Sequence, residues 1–446
     1  MAEPLSASAR RAADAVDGTR AITDLSRLVR TPSVTGNERA VQDLVADLLT
    51  EIGCRVERVE TDPAVFARTD PDWPGEEMAR SDLPVVFARL GRPGGRRILL
   101  VGHTDVVPVG TPDSWTFDPW GAEVRAGQLY GRGSCDMKGG DASILAALRA
   151  LVVSGVADRF EGELLAVFVP SEEDGGQGML AAIRAGATGE MAVITEPTDM
   201  DVVIAHAGAI VFRLTVPGRA AHASMRREGV SALSNLEHLV HALETDETVR
   251  NTAETDPLMT ALGLPYPTII GIVRGGEWAS TVMDEVVADG RYGVALGESW
   301  QDAEIRLRAC IAAAADAHPF LREHRPTIEL VGGRFSSARV PADHPLPLSL
   351  GAVVEATLGR RPAFLGEPYG ADMRLLVNEG RTPTVIFGPG HIAKAHSADE
   401  SVPVDDVVAC ARVLAAWVAE LLSPGRGNER RITTAVASSA PPTPTE

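Results

Sequence analysis

The chain has 446 residues, 45% apolar and 23% charged, with 61 Asp and Glu against 42 Lys and Arg and a formal charge of -19. That length accommodates two domains with separate cores. The acidic balance argues against nucleic acid or an anionic membrane as partner, since both attract cationic faces.

Met1–Gly18 lacks the apolar stretch of a secretion signal, and no segment approaches the roughly 18 unbroken apolar residues of a membrane span, so a cytoplasmic location is expected. Cys54, Cys135, Cys310 and Cys410 are too scattered for a disulfide framework or a zinc knuckle. Pro424–Glu446, rich in Pro, Ser and Thr, is expected to be a disordered tail.

Apolar periodicity sets the predicted elements. Ala21–Val29 carries a short helical pattern, and Glu38–Ile52 places Val41, Leu44, Val45, Leu48, Leu49 and Ile52 on one helical face. Thr35 or Asn37 is available to cap that helix, and Gly53 to stop it. Arg55–Val59 reads as a strand and the acidic, proline-bearing Thr61–Asp82 as an exposed connection. Ile98–Val101 is a buried strand running into Gly102–Pro108, GHTDVVP, so His103 and Asp105 fall at its carboxyl end. Open α/β sheets gather ligands there, and a His-x-Asp spacing supplies both a metal ligand and a carboxylate to orient its second nitrogen.

Leu129–Gly140, LYGRGSCDMKGG, puts Asp136 in a glycine-rich turn ahead of a helix bearing Ile144, Leu145, Leu148, Leu151 and Val152. Glu163–Pro170 is an apolar strand ending in Ser171–Gly176, SEEDGG; Met191–Thr195 precedes Glu196; Thr384–Phe387 precedes His391 and His396. Five apolar strands thus deliver carboxylates or imidazoles at their carboxyl ends. Neighbouring buried carboxylates repel one another, at a cost that a shared cation removes. Zinc accepts this mixture of imidazole nitrogen and carboxylate oxygen, and a bridging carboxylate makes a two-metal site.

Ala207–Val331 reads differently. Ile210, Phe212, Leu214 and Val216 alternate with polar or outward residues, and a helix with Val230, Leu233, Leu236, Leu239, Val240 and Leu243 follows. Strands near Thr268–Val273 and Glu285–Val294, a helix over Trp300–Ala315 and a strand at Thr327–Val331 complete a βαββαβ order. That order predicts a small ferredoxin-like α+β sheet with two helices on one face. The fold expected is α/β, a mixed sheet flanked by helices. Its catalytic domain, 1–206 and 332–423, is split by an inserted domain, 207–331, with the tail at 424–446.

GHTDVVP, YGRGSCDMKGG, SEEDGG, ITEPT, GRAAHAS and GPGHIAKAHSADE occur in this order. Together they resemble the co-catalytic zinc amidohydrolase and peptidase family of acetylornithine deacetylase, succinyl-diaminopimelate desuccinylase, aminoacylase and bacterial carboxypeptidase G. The likeness spans Thr31–Leu422. It implies His103, Asp136 and Glu196 around one divalent ion and Asp136, Glu173 and His396 around a second, with Asp136 bridging. Zinc is the metal implied, and cobalt or manganese suits the same donors. The resemblance further implies that Asp105 orients His103 and that Glu172 is the general base. Glu172 and Glu173 are expected in extended backbone, where neighbours point to opposite sides. A strained peptide after the bridging residue, Asp136–Met137, is also implied.

For the inserted domain the resemblance implies a lid that forms a homodimer, with His222 of GRAAHAS reaching the partner subunit's site to stabilise an oxyanion. Arg291 and Arg374 correspond to substrate-facing arginines, the latter near a pocket for the substrate carboxylate. Ser280 and Met283 stand where the family has Asn and Pro. The reading is a dinuclear metal-dependent hydrolase of N-acyl amino acids, with a dipeptidase or carboxypeptidase, and a non-catalytic binding protein on the same fold, as alternatives.

Overall fold

The computed structural model describes residues 4–424. All of the expected tail beyond Pro424 lies outside them.

The unbroken apolar runs become central strands. Glu163–Val169, Arg97–His103, Met191–Ile194 and Thr384–Ile386 lie side by side, each parallel to the next. Such strands are covered on both faces, which is why they read as continuous Val, Leu, Ile and Ala. Register aligns His103 with Val169 and Val101 with Ile194, so the segments that follow all leave the sheet at one edge. Leu83–Gly91 and then Arg55–Thr61 extend the sheet antiparallel on one side. On the other side come Val202–His206, Ala338–Arg339 and Phe364–Glu367, making nine strands among the described residues. Helices Arg39–Ile52, Gly139–Val153 and Gln177–Arg184 pack onto this sheet, and Val404–Leu422 packs along Gly139–Val153 with Trp417 buried. No helix among the described residues is long and apolar enough to cross a membrane.

A second, antiparallel sheet takes the order Ile269–Gly275, Glu285–Val294, Gly208–Pro217, Thr327–Phe335. Helices Ala232–Ala253 and Trp300–Ala317 lie against it and against each other. The alternation read from the sequence is the burial pattern: Ile210, Phe212, Leu214 and Val216 are fully buried, in a core shared with Leu239, Leu243, Leu307 and Ile311. Two boundaries differ from expectation. Val230 pairs with Arg219 in a bridge before the first helix, and the last strand runs on to Phe335 through a register shift after Leu330.

Two local expectations give way to distant partners. Helix Arg39–Ile52 ends at Gly53 with φ +92°, as expected, but Glu38 occupies its N-cap without a side-chain capping bond, and the Thr35 hydroxyl donates instead to Asp105 Oδ2 at 3.1 Å. The Thr61–Asp82 connection is not simply exposed. Pro63–Thr69 is a helix capped by Asp62, and the Arg80 side chain is wholly sequestered, bonding Glu38 at 3.1 Å and Asp174 at 2.8 Å. A cation of that kind has no helical or strand period to announce it.

Arg80→Ala leaves Glu38 and Asp174 buried without their counter-ion, so unfolding free energy falls by about 3–5 kcal/mol. Urea denaturation checks this, and a loss below about 1 kcal/mol, the range of a surface pair, contradicts the buried-network reading.

Candidate metal centre

Four of the site's segments leave the shared edge of the central strands, and one does not. His103 ends its strand; Glu172 and Glu173 follow Glu163–Val169; Glu196 follows Met191–Ile194; His396 lies beyond Thr384–Ile386. Asp136 stands in the expected turn ahead of a helix, but the strand before it lies outside the central sheet. The short strand Gln128–Tyr130 belongs to a separate three-stranded sheet, and Asp136 sits in the turn Ser134–Lys138 that leads into helix Gly139–Val153. Gly140 allows that approach: a Cβ there would stand 2.0 Å from the Thr195 carbonyl oxygen, so only glycine lets the helix start press against the strand carrying Glu196. The Asp136–Met137 peptide is cis.

The polar atoms converge closely. His103 Nε2 lies 3.1 Å from Asp136 Oδ1 and 3.4 Å from Glu196 Oε1. His396 Nε2 lies 3.3 Å from Asp136 Oδ2 and 3.1 Å from Glu173 Oε2. Asp136 therefore presents one oxygen to each imidazole. Glu172 joins His103 and Glu196 in a second grouping tight enough for a cation. The five residues anticipated as ligands are brought together, and their donor set, two imidazoles and three carboxylates with His396 exposed at the pocket mouth and the others largely buried, fits a pair of divalent cations.

Hydrogen bonds hold the cluster in place. Asp105 Oδ1 accepts the Glu172 N–H at 3.0 Å and Oδ2 the Glu173 N–H at 3.1 Å. Glu172–Gly175 is a turn rather than the extended backbone expected, closed by Gly176 N–H on Ser171 O at 2.6 Å. Three carboxylates in four residues cannot all be hydrated at a strand end, and the turn separates them, with Asp174 turned to Arg80. The closest partner of His103 Nδ1 is the Asp105 backbone carbonyl at 3.0 Å, with Asp105 Oδ1 at 3.5 Å. Glu400, which carried no assigned role, accepts the N–H groups of Cys135 and Asp136, each at 3.0 Å, and pairs with Arg132 at 2.6 Å. Its only sequence signal was its place in the HSADE run.

Crowding sets the proton affinities. Burial and the nearby Glu196 charge push the Glu172 carboxyl well above the usual range. Burial and Asp136 raise Glu173 to about 7 and, against the pull of His103, Glu196 to about 8. His396 rises to about 11 through hydrogen bonds to Asp136 and Glu173. Against the cost of burial, the two imidazoles hold Asp136 far below the ordinary carboxylate range.

The remaining anticipated residues lie apart. His222 is exposed in the second sheet's loop, its Nδ1 2.8 Å from Ser224 Oγ and its backbone bridged to Thr281. Arg291 donates to the Pro368 carbonyl at 3.0 Å. Arg374 is buried and spends its guanidinium on the carbonyls of Ala371 at 3.1 Å and Gly175 at 2.6 Å, stacked 4.0 Å over Phe335. In this structure it braces the two loops beside the site, with Asp372 Oδ1 3.9 Å from Nη1. His391 accepts the Ala393 N–H and stands outside the cluster.

A parallel-centred sheet with this cluster at its edge defines a metal-dependent hydrolase. Residues 99–420 match the model of Peptidase family M20/M25/M40, and the chain belongs to that family. It is 29% identical to succinyl-diaminopimelate desuccinylase of Methylocella silvestris over 87% of this chain and 94% of the relative. Against acetylornithine deacetylase of Photorhabdus laumondii subsp. laumondii the identity is 27%, over 84% and 90%. Among solved structures, human carnosine dipeptidase 1 superposes with a TM-score of 0.71 at 16% identity, covering 93% of this chain and 98% of that one. That likeness is one of fold.

If Glu173 and Glu196 are metal ligands, metal competes with their protons, so affinity for zinc rises as pH climbs through about 7 to 8 and protons are released on binding. Calorimetric titration of metal-free protein in buffers of differing ionisation enthalpy reads both quantities. An affinity independent of pH across that window contradicts the assignment of these carboxylates.

Proposed function

We propose that the protein is a dinuclear metal-dependent deacylase that hydrolyses the amide of an N-acyl amino acid or a related small amine. The carrying observation is the placement of Glu172 in one pocket with Asp136, Glu173, Glu196 and His396, within 4.8 Å of His103 and Glu196. The pocket's volume of about 240 Å³ suits a small substrate. The names of the two relatives, a desuccinylase and a deacetylase, support acyl transfer to water.

In this reading His103, Asp136 and Glu196 hold one ion and Asp136, Glu173 and His396 the other. When bound, the ions, zinc in the first instance with cobalt or manganese fitting the same donors, polarise the amide carbonyl and acidify water. Glu172 takes the proton of the attacking water and returns it to the leaving nitrogen, a role favoured by its raised proton affinity. Asp105 fixes the turn that carries Glu172 and Glu173 and holds His103 in its tautomer. Residues 207–331 act as the lid and join two copies into a homodimer, so that His222 of the partner subunit completes the site. Arg291 acts by holding the Pro368 loop. A cytoplasmic location accompanies this reading.

Metal-loaded protein incubated with N-acetyl, N-succinyl and N-formyl amino acids releases amine from one acyl class, and a chelator stops it. Release from dipeptides alone identifies a peptidase instead, and no release with two metals bound sinks the enzyme reading in favour of a binding protein. Glu172→Gln lowers kcat by about 10²–10⁴-fold with metal content unchanged; activity near wild type removes Glu172 as the base. Asp136→Ala, by contrast, loses both metals in elemental analysis, and full occupancy contradicts the bridge.

A further inference from the structure

The pocket that would hold the substrate is rich in acceptors and poor in donors. Asp136, Glu172, Glu173 and Glu196 face it as carboxylates, and among its described lining residues the side chains able to donate are His396 and Tyr369. His396 is committed to Asp136 and Glu173. Tyr369 is not committed: its hydroxyl is buried and has no hydrogen-bond partner. Buried phenols ordinarily have one, and leaving a buried donor unpaired carries a cost.

The hydroxyl is also held where it stands. The loop 368–372 connects strand Phe364–Glu367 to helix Met373–Asn378. It is gripped on three sides: Arg291 Nη2 on the Pro368 carbonyl at 3.0 Å, Arg374 Nη1 on the Ala371 carbonyl at 3.1 Å, and Ala207 N–H on the Glu367 carbonyl at 2.8 Å. Glu172, Glu196 and Asp136 are close enough to act on the phenol electrostatically. It lines the same pocket as Asp136, Glu172, Glu173 and Glu196. A fixed neutral donor that lacks a partner in the resting protein is suited to charge that develops only during reaction.

We propose that Tyr369 is a catalytic residue whose hydroxyl donates a hydrogen bond to the substrate's amide carbonyl oxygen as that oxygen becomes negative. This rests on the deacylase reading above. Water oxygen bonds to the carbonyl carbon as one water proton passes to Glu172; the C=O electron pair moves onto oxygen, facing Tyr369. The pair then returns to re-form C=O, the C–N bond breaks with its electrons going to nitrogen, and Glu172 delivers its proton to the amine. Tyr369 keeps its own proton throughout. The donor comes from the same chain as Glu172, whereas His222, on its exposed loop, does not line the pocket.

Tyr369→Phe removes one oxygen atom from a group that bonds to nothing else in the chain, so folding and metal content should be unchanged by thermal melting and elemental analysis. On whichever N-acyl amino acid or dipeptide the wild type hydrolyses, kcat should fall by about 10²–10³-fold with KM within about twofold. The phosphinate isostere of that substrate, which carries the tetrahedral oxygen permanently, should bind more weakly by a similar factor. Tyr369→Phe with wild-type kcat, or with a loss confined to KM and no change in phosphinate binding, overturns the assignment while leaving the deacylase reading intact. A wild type that hydrolyses no member of the panel overturns both. Should the variant melt early, the phosphinate comparison is repeated with Tyr369→Leu at a temperature where it is folded, and unchanged affinity again overturns the proposal.

Discussion

Like charge brought together out of water is the constraint on which this structure turns. Asp136, Glu172, Glu173 and Glu196 share one buried pocket, and ionised carboxylates at such spacing destabilise one another unless cations intervene. Two imidazoles meet part of that demand, each within 3.1–3.4 Å of two carboxylates. The rest is the electrostatic invitation to divalent metal. A cluster so poised needs a frame that resists its own repulsion, and much of the catalytic unit can be understood as that frame.

The frame consists of polar groups that hold backbone rather than metal. Asp105 pins consecutive N–H groups of the Glu172 turn, Glu400 pins consecutive N–H groups at Asp136, and Asp174 is drawn away from its neighbours by Arg80. Fixing the main chain fixes where each carboxylate begins, so little side-chain freedom remains to relax the crowding. Arg374 and Arg291 serve the facing loop in the same manner, through carbonyl oxygens. Both arginines thereby help to fix the loop that borders the carboxylate cluster.

Much of the architecture was legible beforehand because it is local. Continuous apolar runs marked the covered central strands, period-two alternation marked Gly208–Pro217, and helical spacing marked Arg39–Ile52. The donor residues were legible because each follows one of those strands or a glycine-rich turn. Where local reasoning went astray, a partner remote in sequence had intervened: Thr35 left its expected cap for Asp105, Arg80 turned an apparent surface loop inward, and the Glu172 turn displaced extended backbone. Asp136 arrives from a turn outside the central sheet, a route the strand count did not foresee.

The sequence by itself determined the kinds of element, the chemistry of the donors and their order, because period, residue type and adjacency are properties of neighbouring residues. Only the tertiary structure decided which edge the strands share, which arginines are spent on carbonyls, and that the Tyr369 hydroxyl stands unpartnered in the pocket lined by Glu172 and Glu196. Hydrogen-bond partners such as Cys135 and Glu400 are 265 residues apart, and contacts of that range are chosen by how the layers pack rather than by any pattern along the chain.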